Sequence, residues 1–463
     1  MGKTLVLAEK PSVARDIGRV LGAKAAGEGF LSGGDWVVSW ALGHLVTLCD
    51  PDEIDGAWKK WRVESLPMLP ETLPTKVAGR TRAQFQVVRR LMNDRAIDRI
   101  VCATDSGREG ELIFRYIYRQ AGCKKPVDRL WISSMTDEAI RAGFARLQPA
   151  SAYDALYESA RCRSEADWLV GMNATRAFTL KYGVLLSVGR VQTPTLRILA
   201  EREREIAAFV PRDYWEATAD FGDYKGVWFD PATDDAKIAD REQALRIKAE
   251  ASGHAGRVIS VTREDKRLPP PQLYDLTTLQ RDANGRLGLS AAKALEVAQS
   301  LYEKRKLITY PRTDSRYLPR DQQKPVEQAL AALPRQYRPL TEPLLAGPLP
   351  AGPRIYDDAK VSDHHAIIPT GKQPPAGLSD AEKAVFDLVA RRLIAVHYPD
   401  YEYQAAKAVT QAAGHCFRTA GAAVLREGWR AVYPEQLRQD APLPNLAEGD
   451  ERAVQSVAIK KLK

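Results

Sequence analysis

The stretch "RIVCATDSGREGELIFRYIYRQAG", residues 99–122, contains the alternation that decides the predicted fold. Its first part, "RIVCATD", is a continuous apolar run that ends in charge, as a buried parallel strand does. Its last part, "ELIFRYIYRQAG", places Leu112 and Tyr116 on one face of a helix that Gly122 ends. The stretch therefore predicts a strand, a turn that contains acidic residues, and a helix.

The same alternation extends over residues 1 to about 150. "KTLVLAEK", residues 3–10, predicts another buried strand, after which Pro11 opens a helix and Gly22 closes it. "QFQVVRRLMND" has helical spacing, and "VDRLWISS", residues 127–134, predicts a third strand. This pattern predicts a doubly wound, Rossmann-like α/β domain at the N-terminus.

The rest of the chain changes repeatedly between helical and strand-like sequence. Residues 151–208 and 269–400 are helical in pattern, whereas residues 209–268 and the tail from residue 401 alternate as strands do. A chain that leaves a β-rich region, forms a helical domain and returns indicates an insertion. We therefore predict a multidomain protein that combines an α/β domain with mainly helical and β-rich domains.

The composition is that of a globular protein with excess positive charge. The 463 residues are enough for two to four domains, and the net charge of +9 suits a polyanionic partner. The five cysteines are scattered and never spaced C-x-x-C, which excludes a zinc ribbon or disulfide framework and indicates a reducing compartment. No apolar run is long enough to span a membrane and no signal peptide is visible, so we expect a cytoplasmic protein.

Acidic residues follow two of the predicted strands. Glu9 and Lys10 come after the first strand, and Asp105 and Glu109 come after the second. Because parallel strands share the edge at their carboxyl ends, neighbouring strands would bring Glu9, Asp105 and Glu109 to one crevice. Such hard oxygen ligands suit Mg²⁺, which binds few carboxylates together with waters and substrate phosphate. Alternatively, Glu109 and Glu111 simply favour the N-terminus of a helix, where acidic residues are stabilised.

A tyrosine, a proline and an arginine stand together in "LITYPRTDSRYLP", residues 307–319. The phenol of Tyr310 is a weak nucleophile unless nearby cations stabilise its phenolate or the charge that develops on a phosphate. Arg312 has a guanidinium fork that matches phosphate oxygens, and Pro311 fixes the backbone between the two. Tyr310 is therefore either a nucleophile toward a phosphodiester or an ordinary core or interface tyrosine.

Nine stretches, in this order, carry a resemblance to a known family: "LAEKPSVARDI", "WALGHLVTL", "ATDSGREGELIFR", "RLWISS", "EADWLVGMNATRA", "SVGRVQTPTL", "LYDLTTLQRDA", "LITYPRTDSRYL" and "SDHHAIIPT". They are similar to stretches of the type IA DNA topoisomerases, of the bacterial topoisomerase III kind. The resemblance extends from residue 1 to about residue 435, and nine motifs in order make a chance match implausible.

The resemblance implies a toroidal arrangement whose N-terminal α/β domain is a TOPRIM domain. The implied domains are a TOPRIM domain at 1–150, an incomplete helical DNA-binding domain at 151–208, a β-rich arch domain in two parts at 209–268 and 401–463, and a helical domain with the nucleophilic tyrosine at 269–400.

The resemblance also implies an ATP-independent DNA topoisomerase, expected to be a cytoplasmic, nucleoid-associated monomer. Tyr310 would attack single-stranded DNA, form a 5′-phosphotyrosine link and release a 3′-hydroxyl, and another strand would pass through the gap. The substrates would be negatively supercoiled or catenated DNA, which the protein would relax or decatenate. The tripeptide "GKT" at residues 2–4 is not a phosphate-binding loop, because it lies ahead of its strand rather than after it, and no other nucleotide-binding signature is visible in the sequence.

Each candidate catalytic residue receives a role from the resemblance. Arg312 and Lys10 would hold the scissile phosphate and stabilise its charge, and Glu9 would manage the proton of the leaving oxygen. Glu9, Asp105 and Glu109 would be the residues of the Mg²⁺ site.

The resemblance implies further contacts to DNA. His364 would contact the phosphate or tune the tyrosine. The implied DNA-binding residues are Asp167, Asn173, Arg176, Ser187, Arg190, Gln192, Thr313, Ser315 and His365. Taken alone, Arg176 and Arg190 are equally consistent with a solvated helix face, and His365 with a buried structural histidine. His44 lies in a matching motif, but the sequence assigns it no chemical role.

Two features depart from the family pattern. The usual TOPRIM signature is D-x-D-x-E, whereas position 107 here is glycine, so we expect one firmly bound Mg²⁺ rather than two. Family members also continue with a G-T-P-A-T-R-like segment, whereas this chain ends at "AIKKLK". We expect this second departure to leave an apolar face of residues 151–208 uncovered and to affect strand passage more than phosphate chemistry.

Two alternative functions stay open. A TOPRIM nuclease or primase would not need Tyr310 and would leave "SVGRVQTPTL" and "SDHHAIIPT" unexplained. A truncated fragment would bind single-stranded DNA, with cleavage but little or no strand passage, and its main support is the lack of a G-T-P-A-T-R-like segment.

Overall fold

The computed structural model describes residues 2–132, 135–361, 363–433 and 442–463 of the chain. These residues form two compact units. The first unit comprises Met1–Glu205, Arg312–Lys324 and Tyr356–Ala366, and the second comprises Ile206–Pro311, Pro325–Ile355 and Ile367–Lys463. Among the helices of the described residues, none has both the length and the apolar character needed to cross a bilayer.

The first unit begins as an α/β domain. Its strands are β1 (Lys3–Ala8), β2 (Ala25–Gly27), β3 (Phe30–Gly33), β4 (Trp36–Trp40), β5 (Val46–Leu48), β6 (Thr75–Val77), β7 (Ile97–Ala103), β8 (Val127–Arg129) and β9 (Gln148–Pro149). Its helices are α1 (Pro11–Leu21), α2 (Pro51–Ile54), α3 (Arg82–Asn93), α4 (Arg108–Gln120), α5 (Asp137–Phe144), α6 (Asp154–Tyr182) and α7 (Gln192–Ala208), the last of which extends into the second unit. Seven of the strands form a sheet in the order β2-β3-β4-β1-β7-β8-β9, in which β4, β1, β7 and β8 are parallel.

Strand β1 lies at the centre of this sheet and is buried on both faces, as the continuous apolar run predicted. Leu5 and Leu7 pack in a core with residues of α3 and α4, whereas Val6 and Ala8 pack with residues of α1 and α5. This alternation follows from the two-residue period of a strand. The α/β prediction is therefore confirmed for this part of the chain.

The helix boundaries at the N-terminus follow the local sequence. Pro11 is the first residue of α1, and Gly22 ends the helix in the left-handed region, at φ 77°. The third predicted strand is shorter than expected, because β8 covers only Val127–Arg129 of "VDRLWISS". Ser133 and Ser134 of that stretch lie outside the described residues.

Helices α6 and α7 follow the α/β domain and are separated by residues 183–191, where Gly183 ends α6 at φ 71°. Large apolar side chains on this segment are exposed, with 64% exposure for Leu196, 67% for Ile198 and 60% for Leu199. Helix α7 buries none of its residues. The expectation of an uncovered apolar face is confirmed.

The second unit contains a sheet that joins two distant parts of the chain. Its strands are β10 (Tyr214–Asp220), β11 (Lys225–Phe229), β12 (Ala255–Leu268), β13 (Tyr401–Ala412), β14 (His415–Arg426), β15 (Glu451–Ala453) and β16 (Ser456–Leu462). They pair in the order β15-β12-β13-β14-β11-β10-β16, so strands before and after the helical segment form one sheet. The helices are α8 (Arg241–Ala251), α9 (Leu276–Leu287), α10 (Ala291–Ser300), α11 (Gln323–Ala331), α12 (Arg338–Leu345) and α13 (Asp380–Val396), with α11 beginning at the last residues of the first unit.

Two local expectations in this unit were wrong. Residues 241–251, within the stretch expected to be strand-like, form α8. The Asp240 side chain caps the N-terminus of this helix by accepting a hydrogen bond from Glu242 N–H. Within the tail from residue 401, also expected to be strand-like, β14 ends at Arg426 and residues 428–432 form a 3₁₀ helix. Gly428 has φ 47° and approaches the carbonyl of Asp400 so closely that no side chain fits there.

Candidate active site at the carboxyl end of the first sheet

Two carboxylates meet where β1 and β7 end. The strands are parallel neighbours with Ala8 opposite Ala103, so the residues that follow them lie side by side. The backbone N–H of Asp105 donates to the Glu9 carboxylate at 3.1 Å. Glu9 itself is buried, at 8% exposure. The prediction that Glu9 and Asp105 converge is therefore confirmed.

A lysine and a histidine side chain lie beside this pair. The Lys10 ammonium donates to Asp105 Oδ2 at 3.0 Å and lies 3.5 Å from Glu9 Oε1. His364 Nε2 donates to the same Asp105 oxygen at 3.2 Å. The four residues form a cluster in which the Lys10 and His364 side chains donate to the carboxylate of Asp105, and such donors can also receive a phosphate.

The two carboxylates respond differently to this environment. Burial, and then the charge of Asp105, raise the pKa of Glu9 above its ordinary value, while Lys10 opposes them. Burial alone would raise the pKa of Asp105, but the hydrogen bond from His364 and the charge of Lys10 hold that pKa well below its ordinary value. Neighbouring carboxyl groups whose pKa values are pushed apart are the arrangement expected of an acid and its ionised partner.

A buried arginine fixes the turn that carries Asp105. The Arg129 guanidinium donates to the carbonyls of Thr104 at 2.8 Å and Asp105 at 2.7 Å, and its Nε lies 3.1 Å from the buried Glu111 carboxylate. Gly110 is required in the same turn, because a Cβ there would lie 2.2 Å from the Asp105 carbonyl oxygen. These contacts hold the backbone of the turn in one position.

Contrary to the expectation, the Glu109 side chain pairs with His44 rather than with the Glu9 and Asp105 cluster. Its Oε1 accepts from His44 Nε2 at 2.5 Å, and this hydrogen bond raises the pKa of His44 and lowers that of Glu109. Glu109 is the second residue of α4, so it also has the helix N-terminal position that acidic residues favour. The structure thus gives His44 the role that the sequence could not assign, as the partner of Glu109.

A cleft of about 680 Å³ lies beside this turn. Its lining includes three arginines, Arg108, Arg163 and Arg312, together with His364 and the aromatic ring of Trp131. Arginine side chains bind phosphate oxygens in two-point contacts without reading sequence, and aromatic rings stack on bases. The lining therefore suits a nucleic acid strand, and it includes the predicted phosphate-binding residue Arg312.

The predicted DNA-binding residues after Arg312 are less open. Thr313 and Ser315 are 8% and 5% exposed, and their hydroxyls donate to the carbonyls of His364 at 2.8 Å and Lys360 at 2.9 Å. Burial lowers the pKa of His365, whose Nδ1 donates to the Ala366 carbonyl. Thr313 and Ser315 thus connect the segments 312–324 and 356–366, and His365 is half-buried within the second of them, which is a positioning role rather than an open binding surface.

Two of the predicted groove residues on α6 also differ from expectation. The Asn173 side chain accepts from Met68 N–H at 2.6 Å and donates to the Met68 carbonyl at 3.0 Å. Arg176 is 5% exposed, donates to the Trp58 carbonyl at 2.6 Å, and has a pKa lowered by burial. The interpretation of Arg176 as a solvated helix face was wrong, because both side chains anchor α6 to the segment between α2 and β6.

The other predicted groove residues are open to solvent. Ser187 and Arg190 are exposed in the segment between α6 and α7, and Gln192 is exposed as the first residue of α7. Arg190 donates to the Asp167 carboxylate at 2.9 Å, and both side chains remain exposed. These four residues keep the accessibility that a single-strand contact requires.

Tyr310 belongs to the second unit and is half-buried. Its ring meets that of Tyr302 edge to face, with centroids 5.3 Å apart. The preceding backbone is held by Thr309, whose N–H donates to the Ile368 carbonyl at 2.9 Å. Pro311 follows Tyr310 and precedes Arg312, so one conformationally restricted residue separates the phenol from the arginine.

The carboxylates can be tested against the Mg²⁺ that the domain type implies. In the described residues, no group of three or more His, Cys, Asp or Glu side chains converges on one point that could hold a metal. Mg²⁺ usually takes only one or two protein carboxylates and completes its shell with water and substrate phosphate. The adjacent Glu9 and Asp105 fit such a site in donor chemistry, whereas Glu109 would first have to leave His44.

Comparisons with known proteins agree with this architecture. A family model described as "DNA topoisomerase" matches residues 151–463, and a model described as "Toprim domain" matches residues 4–135. The first match alone covers more than half of the chain. The chain therefore belongs to the type IA DNA topoisomerase family.

Individual relatives give the same result. The DNA topoisomerase 3 of Bacillus anthracis is 43% identical over 467 residues, and that of Bacillus subtilis (strain 168) is 42% identical. Each alignment covers 99% of this chain but 64% of the relative, so the chain spans less than two thirds of the length of these curated relatives. The full-length topoisomerase I of Thermotoga maritima matches in structure with a TM-score of 0.71 at 22% identity, over 99% of this chain and 72% of that one. This match confirms the predicted fold class.

Sequence reasoning missed Arg129 and Asp363. Arg129 carries a signal, because an arginine at the end of an apolar strand needs a buried partner. Asp363 carries none, since its neighbour Gly107 is 256 positions away and the two meet only in the folded unit. Burial raises the pKa of Asp363, Asp105 and Asp314 add to this effect, and His364 opposes it.

Proposed function

We propose that this chain cleaves and rejoins single-stranded DNA through Tyr310 and, without ATP, passes another strand through the break. The observation that carries the proposal is the cluster of Glu9, Lys10, Asp105 and His364 beside an arginine-lined cleft that includes Arg312. Family membership supports the same activity. The proposed substrates are negatively supercoiled or catenated DNA, acted on by a monomer in the cytoplasm near the nucleoid.

In the proposed cleavage step, the phenol of Tyr310 gives its proton to water as its oxygen forms a bond to phosphorus, while the bond from phosphorus to the 3′-oxygen breaks. Glu9 gives a proton to the leaving 3′-oxygen, a role that its raised pKa supports. Arg312 and Lys10 stabilise the charge on the phosphate oxygens, and His364 helps to orient the phosphate. Attack of the 3′-hydroxyl on the phosphotyrosine reverses every bond change, so no external energy source is needed.

The proposed metal is a single Mg²⁺ at the edge of the first sheet. Asp105 is the residue that would hold it directly, Glu9 would join only in its ionised form, which is not the form that gives the proton, and Glu109 would join only if it exchanges His44 for the metal. When bound, Mg²⁺ supplies positive charge near the phosphate and orients it. The Lys10 and His364 side chains keep Asp105 ionised, which is the state a metal ligand needs.

The exposed residues Asp167, Ser187, Arg190 and Gln192 are the proposed contacts to the single strand outside the cleft. Such contacts would bind the sugar–phosphate backbone with little sequence preference. Asn173, Arg176, Thr313, Ser315 and His365 would support this surface through their backbone contacts. Their proposed effect on DNA is therefore indirect.

A second candidate function is cleavage with little or no strand passage. The exposed apolar face of α6 and α7 favours it, because strand passage requires the elements that hold the two DNA ends to move as a stable gate. The two candidates share the chemistry of Tyr310. They differ only in whether a second strand passes through the break before it is rejoined.

A relaxation assay on negatively supercoiled plasmid tests the first candidate. With Mg²⁺ and no ATP, wild type should change the linking number and Tyr310→Phe should leave it unchanged. A wild type that cuts single-stranded oligonucleotides but leaves the plasmid supercoiled would favour the second candidate. A wild type that neither cuts nor relaxes DNA to which it binds would contradict both.

A further inference from the structure

Position 107 is where the chain lacks the carboxylate of the D-x-D-x-E pattern, and the structure places another carboxylate there. A Cβ built on Gly107 would lie 2.3 Å from Oδ1, 2.5 Å from Oδ2 and 2.6 Å from Cγ of Asp363. The Asp363 carboxyl group therefore occupies the volume into which a side chain at position 107 would project.

The backbone at Gly107 does not itself require glycine. Its φ of −162° and ψ of 177° are ordinary extended values that any residue adopts. The three atoms nearest to a Cβ at this position all belong to the Asp363 carboxyl group, so glycine at 107 and aspartate at 363 are sterically matched.

Asp363 is held in this place by the segment that carries it. Segment 356–366 is attached to segment 312–324 through Thr313 Oγ1, which donates to the His364 carbonyl at 2.8 Å, and through Ala366 N–H, which donates to the Tyr317 carbonyl at 3.0 Å. The adjacent residue, His364, donates to Asp105 at 3.2 Å. All these residues belong to the first unit.

We propose that Asp363 supplies, from this separate segment, the carboxylate that is missing at position 107, and that it serves as a ligand of the Mg²⁺ held by Asp105. The inference rests on the proposed Mg²⁺ site. Because the ligand comes from a segment that also carries His364, metal binding and the position of His364 are linked. Mg²⁺ would thus stabilise the attachment of segment 356–366 to the turn at 105–109.

The test is binding of Mn²⁺, as a spectroscopic substitute for Mg²⁺, to the full chain without DNA, measured by the loss of the free Mn²⁺ signal in electron paramagnetic resonance. Asp363→Asn should weaken binding by about tenfold or more, the order of effect expected when a metal site loses a partner. Asp314→Asn is the matched control, because it removes a neighbouring negative charge of the same cleft and should change affinity by less than about threefold.

The exchange variant Gly107→Asp/Asp363→Gly makes the test independent of any folding defect in the single variant. It should bind Mn²⁺ more tightly than Asp363→Asn, because the carboxylate returns to the same volume from the turn itself. Wild-type affinity in Asp363→Asn, or no recovery in a folded exchange variant, would overturn the proposal.

Asp105→Asn separates failure of this inference from failure of the proposed metal site. If Asp105→Asn loses Mn²⁺ binding and Asp363→Asn does not, Asp363 is not a ligand and the site at Asp105 stands. If neither variant changes the affinity, the metal does not bind at this edge of the sheet and both proposals fail.

Discussion

Residues 1–149 bury their apolar side chains, whereas helix α7 leaves its apolar side chains exposed. The first region buries its apolar residues on both faces of a sheet, with Leu5 and Val6 fully enclosed. Helix α7, in contrast, leaves Leu196 more than half exposed. Charges follow the same division, because Arg129 and Glu111 are enclosed whereas Arg197 pairs with its neighbour on α7 in solvent. The proposed phosphate chemistry therefore lies on a scaffold with its own buried core, whereas α7 leaves its apolar side chains exposed.

The largest predicted difference concerns the charged pairs. Arg129→Met should lower the free energy of unfolding by about 3–5 kcal/mol, because it removes one of the two arginines that pair with the buried Glu111 and leaves the Thr104 and Asp105 carbonyls without their donor. The matched variant Arg197→Met removes an exposed pair with Glu201 and should cost less than about 1 kcal/mol. Urea unfolding of the full chain, followed by circular dichroism, measures both. Equal losses in the two variants would break the comparison.

The second-largest difference in stability between the two regions should come from shortening an apolar side chain to alanine. Leu5→Ala opens a cavity beside α3 and α4 and should cost about 3 kcal/mol of unfolding free energy. Leu196→Ala removes a side chain that is 64% exposed and should change stability by less than about 0.5 kcal/mol. The same unfolding curves report both values. A loss above about 2 kcal/mol for Leu196→Ala would show that α7 is covered in solution.

The contrast between enclosed and exposed charges also predicts a pH dependence. The hydrogen bond from Arg305, and then that from Ser379 N–H, lower the pKa of the enclosed Glu382 to about 2. Since this pKa lies below the ordinary value of about 4.3 in an unfolded chain, its stabilisation is present above about pH 4.3 and is lost as the pH falls toward 2.

Glu382→Gln should therefore cost about 1–3 kcal/mol at pH 7, and its difference from wild type should shrink between about pH 4.3 and 2. Glu201→Gln, in the exposed pair on α7, should show little difference at any pH. Unfolding free energies measured across this range check the sign. A Glu382→Gln difference that grows on acidification would contradict it.

The smallest effect on stability should come from the exposed face itself. Leu196→Gln combined with Leu199→Gln should leave the unfolding free energy within about 0.5 kcal/mol of wild type. It should reduce self-association, because contiguous exposed apolar surface favours contacts between molecules. Light scattering over a concentration series measures this effect, with the exposed Arg204→Gln as control. Unchanged scattering would mean that this face is not a contact surface.

The enclosed region was also the more predictable one. The apolar runs in residues 3–10 and 99–105 were enough to predict two buried parallel strands with Glu9 and Asp105 at their ends, whereas the structure was needed to show that the two strands are neighbours. Local patterns could not show that His44 would pair with Glu109, because 65 positions separate them. They could not show the burial of Arg176 for the same reason, since its partner carbonyl is 118 positions away.

The central claim is that the enclosed site is complete enough to cut DNA. The most direct measurement uses single-stranded DNA labelled on the 3′ side of the cut, mixed with protein and Mg²⁺, quenched with detergent and examined for label attached to protein. Wild type and Tyr302→Phe, which alters the ring beside Tyr310, should both form the adduct, and Tyr310→Phe should not. An adduct that persists in Tyr310→Phe, or no adduct in wild type that binds the DNA, would contradict the claim.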